Sequence, residues 1–160
     1  MSTAFARLPN PSAWRAVPLL ALGWLAGPAH AQDVDASQMV RGGLQVVQMI
    51  DQGRLGELWD GAAAGARKRV TREEFVLQVS QARAPLGAAQ ARTWVSVNRV
   101  AVDGAGASAN ADADVAIAGQ YVNVEHETRF ASQAPKTVRE LTTFHLGNDG
   151  VWRFSGYFIR

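Results

Sequence analysis

The stretch Gln120-Tyr-Val-Asn-Val-Glu-His-Glu-Thr-Arg-Phe-Ala131 decides the fold class, because its side chains alternate in character from one residue to the next. One side of the alternation is mainly apolar and holds Val122, Val124, His126, Thr128 and Phe130. The other side is polar and holds Tyr121, Asn123, Glu125, Glu127 and Arg129. This period of two is typical of a strand in an antiparallel sheet with one face in water.

Similar segments lie on both sides of this stretch. The spacing changes from helical to alternating near Arg92. The small residues of 103–110 predict a flexible hairpin loop, and Gly147-Asn-Asp-Gly150 predicts a second hairpin, because its residues tolerate positive φ. The further predicted strands cover 93–102, 113–117 (a weak one), 137–146 and 151–160.

Helical spacing precedes the strands. Apolar residues recur at helical intervals between Ser37 and Asp51, and Gly53 is suited to follow the end of that helix. A second, broken helix is predicted over 54–67. Thr71 and Glu74 have the spacing of a capping box, and Pro85 ends the third helix. This order predicts an α+β fold, with three N-terminal helices packed on a curved antiparallel sheet of four to five strands.

The first 31 residues have the features of a secretory signal peptide. Arg7 and Arg15 precede an apolar run over 16–27, which is too short for a membrane span. Ala29 and Ala31 supply the small side chains that signal peptidase requires, so cleavage is expected before Gln32. We therefore expect a leader (1–31), one domain (32–160), a periplasmic or secreted location, and no membrane span after cleavage.

Charge and cysteine content exclude several classes of function. Two of the 16 basic residues lie in the leader, which leaves the remainder balanced against the 14 acidic residues. A near-neutral domain lacks the basic surface typical of nucleic-acid binding. The basic run at 67–69 with Arg72 is interpreted as a solvated surface. The absence of cysteine excludes disulfides and thiolate metal sites.

Four segments resemble a known family. They are 70–75 (VTREEF), 83–87 (RAPLG), 119–130 and 150–160 (GVWRFSGYFIR). Together they resemble the bacterial exported family called domain of unknown function 4019, from about Gln38 to Arg160. The element order is also similar to the cystatin-like, nuclear-transport-factor-2-like cone, a likeness that implies a pocket but no chemistry. The resemblance supplies no catalytic residues and no cofactor.

Two histidines are the first candidates for a site. A two-residue turn at Asn148-Asp149 would pair His145 with Trp152 and Thr143 with Phe154. If the apolar side of 122–130 continues that face, His126 and His145 both point toward the helices. They could then act as a base, an acid or a metal pair. The alternative is that each is an ordinary strand residue bonded to backbone or water.

Acidic and aromatic residues leave similar alternatives open. Glu125, Glu127 and Glu140 are expected to form cross-strand ion pairs on the wet face, and a glycosidase-type carboxylate pair is the alternative. Trp94 and Trp152 are either core and rim aromatics or parts of a ligand pocket.

These features favour a non-catalytic module that binds a small molecule or an envelope protein. We expect the ligand between the helices and the concave sheet, near Trp94, His126, His145 and Trp152. One alternative is a small cone-fold isomerase or dehydratase that uses a proton shuttle, and another is a structural protein with a filled core. No cofactor, metal or nucleic acid is expected, and the chain is predicted to be a monomer or homodimer.

Overall fold

The computed structural model describes residues 35–103, 118–131 and 136–160. The predicted leader (1–31) and the weak strand at 113–117 lie outside the described residues. The predicted hairpin loop (103–110) also lies outside them, apart from Asp103.

Within the described residues, four α-helices precede the strands, and not the three that the sequence predicts. They are α1 (Ala36–Asp51), α2 (Leu55–Asp60), α3 (Ala64–Arg69) and α4 (Arg72–Arg83), followed by a 3₁₀ turn over Ala84–Leu86. The segment predicted as one broken helix divides because Ala63 is extended, with ψ at 140°. Its N–H donates to the carbonyl of Phe154 on a strand edge, at 2.7 Å. A tertiary hydrogen bond therefore separates α2 from α3.

The predicted end of α1 and the predicted start of α4 are confirmed, whereas the cap at the start of α1 is Asp35 and not the predicted Ser37. Gly53 follows α1 with φ at 70°, a conformation that glycine adopts without a steric penalty. At the start of α4, the Glu74 N–H donates to the Thr71 hydroxyl at 3.2 Å, and the Thr71 N–H donates to the Glu74 carboxylate at 2.8 Å. This reciprocal pair is the predicted capping box.

In the part of the chain that the structure describes, four strands form one antiparallel sheet in sequence order. They are β1 (Ala89–Val102), β2 (Gly119–Phe130), β3 (Lys136–Leu146) and β4 (Trp152–Ile159). Among the described strands, β1 and β4 are the two edges. The fold is therefore α+β, with helices followed by an antiparallel sheet.

The predicted register of the last hairpin is wrong by one residue next to the turn, and by two residues beyond an irregularity between Thr143 and Phe144, since Thr143 pairs with Gly156 and not with Phe154. His145 pairs with Arg153, and Leu146 pairs with Trp152. The reason lies in the turn, where the Gly147 N–H donates to the Val151 carbonyl at 2.9 Å. Gly150 has φ at 74° and is part of a three-residue loop, a common alternative to the two-residue turn. A one-residue shift moves every side chain to the other face.

The two faces of the sheet have different environments. The helix-facing side contributes Val122, Val124, Phe144 and Phe154 to a core with α1, α2 and α4. The opposite side, here called the outer face, holds Tyr121 paired with His145 and Asn123 paired with Thr143. No helix in the described ranges is long and apolar enough to cross a membrane.

Candidate functional site

The four residues predicted to surround a ligand do not converge. His126 is 2% exposed and lies on the helix-facing side, opposite Trp94 of β1, whose side chain is 52% exposed. His145 lies on the outer face, because it pairs with Tyr121 and not with a core residue. Trp152 packs on the core and lines a separate groove of about 310 Å³ with Met39 and Met49. Only His145 lines the larger groove described below.

A buried carboxylate organises the helix-facing side near His126. The side chain of Glu140 is fully buried, although the sequence predicts it on the wet face. Its Oε1 accepts from Arg83 Nη1 at 2.9 Å and from the Tyr157 hydroxyl at 2.6 Å. Its Oε2 accepts from Arg92 Nε at 3.0 Å and from the Thr128 hydroxyl. Four different side chains therefore donate hydrogen bonds to the two carboxylate oxygens of Glu140.

Asp51, at the end of α1, completes this arrangement. Its Oδ2 lies 2.9 Å from Arg92 Nη1, and its Oδ1 accepts from Arg83 Nη2. The guanidinium of Arg83 also stacks 4.2 Å from the ring centroid of Phe130. We call Asp51, Arg83, Arg92 and Glu140 the ionic cluster. Two cations balance two carboxylates, as burial of charge requires.

The ionic cluster changes the pKa of its neighbours. Burial lowers the pKa of Arg92, but the hydrogen bond that Arg92 donates to Asp51 and the charges of Glu140 and Asp51 outweigh it and raise the pKa overall. Burial raises the pKa of the Tyr157 hydroxyl far above its ordinary value, and the charge of Glu140 adds to this effect. Tyr157 therefore acts as a neutral hydrogen-bond donor.

His126 lies beside the ionic cluster without joining its hydrogen bonds. Its Nδ1 is buried and has no hydrogen-bond partner among the described residues. Burial lowers the pKa of His126, the charge of Arg92 lowers it further, and Glu140 opposes the shift. The imidazole is therefore neutral at pH 7 and sealed from solvent.

Sequence reasoning missed Glu140, although a usable signal was present. In β3, Val138, Thr142 and Phe144 are buried, and Glu140 has the same parity. The alternation alone therefore placed this carboxylate on the buried face.

The predicted outer-face pairs are confirmed for Glu127, which lies 3.0 Å from Arg139. Glu125 pairs at 2.8 Å with Arg160, which the sequence did not single out.

The larger groove has a volume of about 710 Å³ and follows the edge strand β4. Its lining comes from α2, α3, α4 and all four strands, and includes Trp59, Arg69, Phe75, Tyr121, His145 and Phe158. Residues of both sheet faces contribute, so the groove passes around the edge of β4. We call it the β4 groove.

An aromatic pair and a polar pair lie side by side at the outer-face end of the β4 groove. The rings of Tyr121 and His145 are 4.7 Å apart between centroids, tilted by 49°. Next to them, the Thr143 hydroxyl donates to Asn123 Oδ1 at 2.9 Å. His145 Nε2 is buried and has no hydrogen-bond partner among the described residues. Apolar walls with a few polar groups are typical of small-molecule sites.

Metal binding finds no support in the described ranges. Within 35–103, 118–131 and 136–160, no three His, Asp or Glu side chains are placed to hold a metal ion. The two histidines of the predicted pair lie on opposite faces of the sheet.

Comparison with known proteins identifies the family. No match to the chain was found among curated proteins. The family model described as "Protein of unknown function (DUF4019)" matches residues 43–157, which include all of α2 to β3 and most of α1 and β4. The chain therefore belongs to the family of proteins of unknown function DUF4019.

Proposed function

We propose that this chain is an exported bacterial protein of the cell envelope that binds a small molecule without transforming it. The observation that carries the proposal is the β4 groove, whose volume of about 710 Å³ lies within the range typical of ligand sites. Export follows from the signal-peptide features of 1–31. The order of helices and strands supports a cystatin-like, nuclear-transport-factor-2-like cone.

The binding site in this proposal differs from the one that the sequence suggested. Val122 and Val124 are fully buried in the middle of the sheet, whereas Phe75, Val79 and Tyr157 line the β4 groove near the edge of the sheet. A ligand is therefore expected in the β4 groove. Of the four predicted residues, His145 is the one that would contact it.

The chemistry of the groove favours binding over a proton-shuttle enzyme. A shuttle needs a titratable group oriented by a partner, such as an imidazole held by a carboxylate. Among the described lining residues, His145 is the one imidazole, and there is no carboxylate. The carboxylates of the ionic cluster are occupied by arginines, and His126 is buried away from the groove lining.

Native mass spectrometry of the protein purified from its own periplasm tests this proposal. We expect a retained small molecule in the wild type. Ala82→Trp should abolish retention, because Ala82 lines the β4 groove from an exposed position on α4. Gln81→Trp is the matched control, since Gln81 is exposed on the same helix outside the lining.

Two results would contradict binding in this groove. A bare protein mass under gentle conditions would favour the structural alternative with a filled core. Equal retention by both tryptophan variants would place the ligand elsewhere.

A further inference from the structure

The charge on the described lining of the β4 groove is positive. Among the described lining residues, Arg69 is the one charged side chain, and no aspartate or glutamate accompanies it. The remaining lining is aromatic, aliphatic or neutral polar. A groove of this composition repels cations and attracts anions.

Arg69 differs from Arg67 and Arg72, which both interact with Asp60. Arg72 pairs with Asp60 at 3.1 Å, and Arg67 donates to the backbone carbonyl of Asp60 at 3.4 Å. Arg69 has no carboxylate within ion-pair distance among the described residues. Its charge reaches the groove, because it lowers the pKa of Tyr121, although burial of that ring raises the pKa overall. Arg69 is thus a cation available to a ligand.

The groove also contains one apolar side chain of unusual exposure. Phe158 is 57% exposed on the outer face of β4, which is a large exposed fraction for a phenylalanine. Phe75 and Val79 of α4 line the same groove, together with the ring of Tyr157. An apolar body placed here would cover Phe158 and remove its surface from water.

We propose that the β4 groove binds an amphiphile with an apolar body and a single anionic group. The apolar body lies along Phe158 and the α4 side chains, and the anion pairs with Arg69. This inference rests on the proposed binding function and specifies its ligand class. A guanidinium forms charge-assisted hydrogen bonds with carboxylates and phosphates alike. Arg69 therefore recognises the anionic oxygen atoms that both groups carry.

Isothermal titration calorimetry of the exported protein with three probes built on a ten-carbon chain tests the ligand class. Decanoate, 1-decanol and decyltrimethylammonium share one chain and differ in head-group charge. We expect decanoate to bind most tightly and the cationic probe to bind most weakly. Arg69→Gln should weaken decanoate binding about five- to tenfold and leave 1-decanol binding unchanged within about twofold.

Lys68→Gln is the matched control, because Lys68 is an exposed neighbour that does not line the groove. It should leave the affinity for decanoate unchanged. Equal losses of decanoate affinity in the Lys68 and Arg69 variants would indicate a general basic surface, and would overturn the proposal.

Equal affinity of the wild type for decanoate and 1-decanol would show that the groove does not select an anionic group, while leaving the binding function intact. If no probe binds, the proposed ligand class is wrong. The binding function is then still tested by native mass spectrometry, which detects any small molecule that the periplasmic protein retains.

Repeating the titration with decyl phosphate distinguishes the two anion types. Tighter binding of decyl phosphate than decanoate, lost in Arg69→Gln, would assign the site to phosphorylated amphiphiles. The reverse order would assign it to carboxylates.

Discussion

The hydroxyl of Tyr157 donates to Oε1 of Glu140 at 2.6 Å, and this bond joins the edge strand β4 to a carboxylate that no solvent reaches. Tyr157 also lines the β4 groove. One side chain therefore connects the candidate binding surface to the ionic cluster. The same carboxylate binds Arg83 of α4, Arg92 of β1 and Thr128 of β2, so Glu140 links four elements besides its own.

Glu140→Gln should reduce the free energy of unfolding by about 3 kcal/mol, because it leaves Arg83 and Arg92 with one buried anion fewer. Urea unfolding measures the change. Glu127→Gln is the control, since Glu127 forms a half-exposed ion pair with Arg139 and should cost less than about 1 kcal/mol. Equal effects of the two substitutions would show that the ionic cluster does not stabilise the fold.

Stability should fall when the pH is lowered through the ordinary histidine pKa of about 6.5, because His126 is buried and neutral. The folded pKa is lowered, so the unfolded chain binds the proton first. Stability is therefore complete above the unfolded pKa and decreases below it. Urea unfolding at about pH 7.5 and about pH 5.5 measures this difference.

The control for this pH dependence is His126→Gln, which should show a smaller difference in stability between the two pH values. An unchanged difference in the variant would assign the pH dependence to other groups. The carboxylates with lowered pKa, such as Asp149 at about 2, titrate below this window.

Gly43→Ala should destabilise the fold by about 1–2 kcal/mol, although alanine favours a helix. A Cβ at this position would lie 2.8 Å from Cγ1 of Val124, in the fully buried core. Gly42→Ala is the matched control, because its Cβ would meet only the Phe144 ring at an ordinary 3.5 Å. We expect Gly42→Ala to stabilise the helix by about 0.5–1 kcal/mol. Thermal unfolding that gave both variants the same sign would contradict the close packing at Gly43.

The exported protein should begin at Gln32, as measured by intact mass after expression in a bacterial host. Ala31→Arg should block cleavage, because signal peptidase needs a small side chain there. His30→Gln should have no effect, since the residue between the two alanines is not selected. A mature mass that includes Met1 to Ala31 would contradict the leader.

The local parts of the fold were predictable from the sequence, for reasons that can be named. The capping box of Thr71 and Glu74 depends on residues three apart, and Gly53 ends α1 through its own backbone freedom. Alternation placed β2 within one residue of its observed bounds. These features need contacts only between near neighbours in the chain.

The site depended on relations that sequence spacing does not fix. The turn at 148–150 has three residues where two were predicted, and this moved the register of β4 by one residue against β3. His145 and His126 lie on opposite faces for a separate reason, because β2 and β3 pair His145 with Tyr121 and His126 with Glu140, so the four predicted ligand-binding residues do not come together.

The sequence by itself determined that helices come first, that an alternating sheet follows, and where most elements begin and end. Periodicity and capping are local, and each acts within a few residues. The alternation of β3 puts Glu140 on the core side, but only the tertiary structure decided what balances its charge there, because Asp51, Arg83 and Arg92 come together from three other elements. Such a charge is stable inside the protein only when all its partners are in place at once.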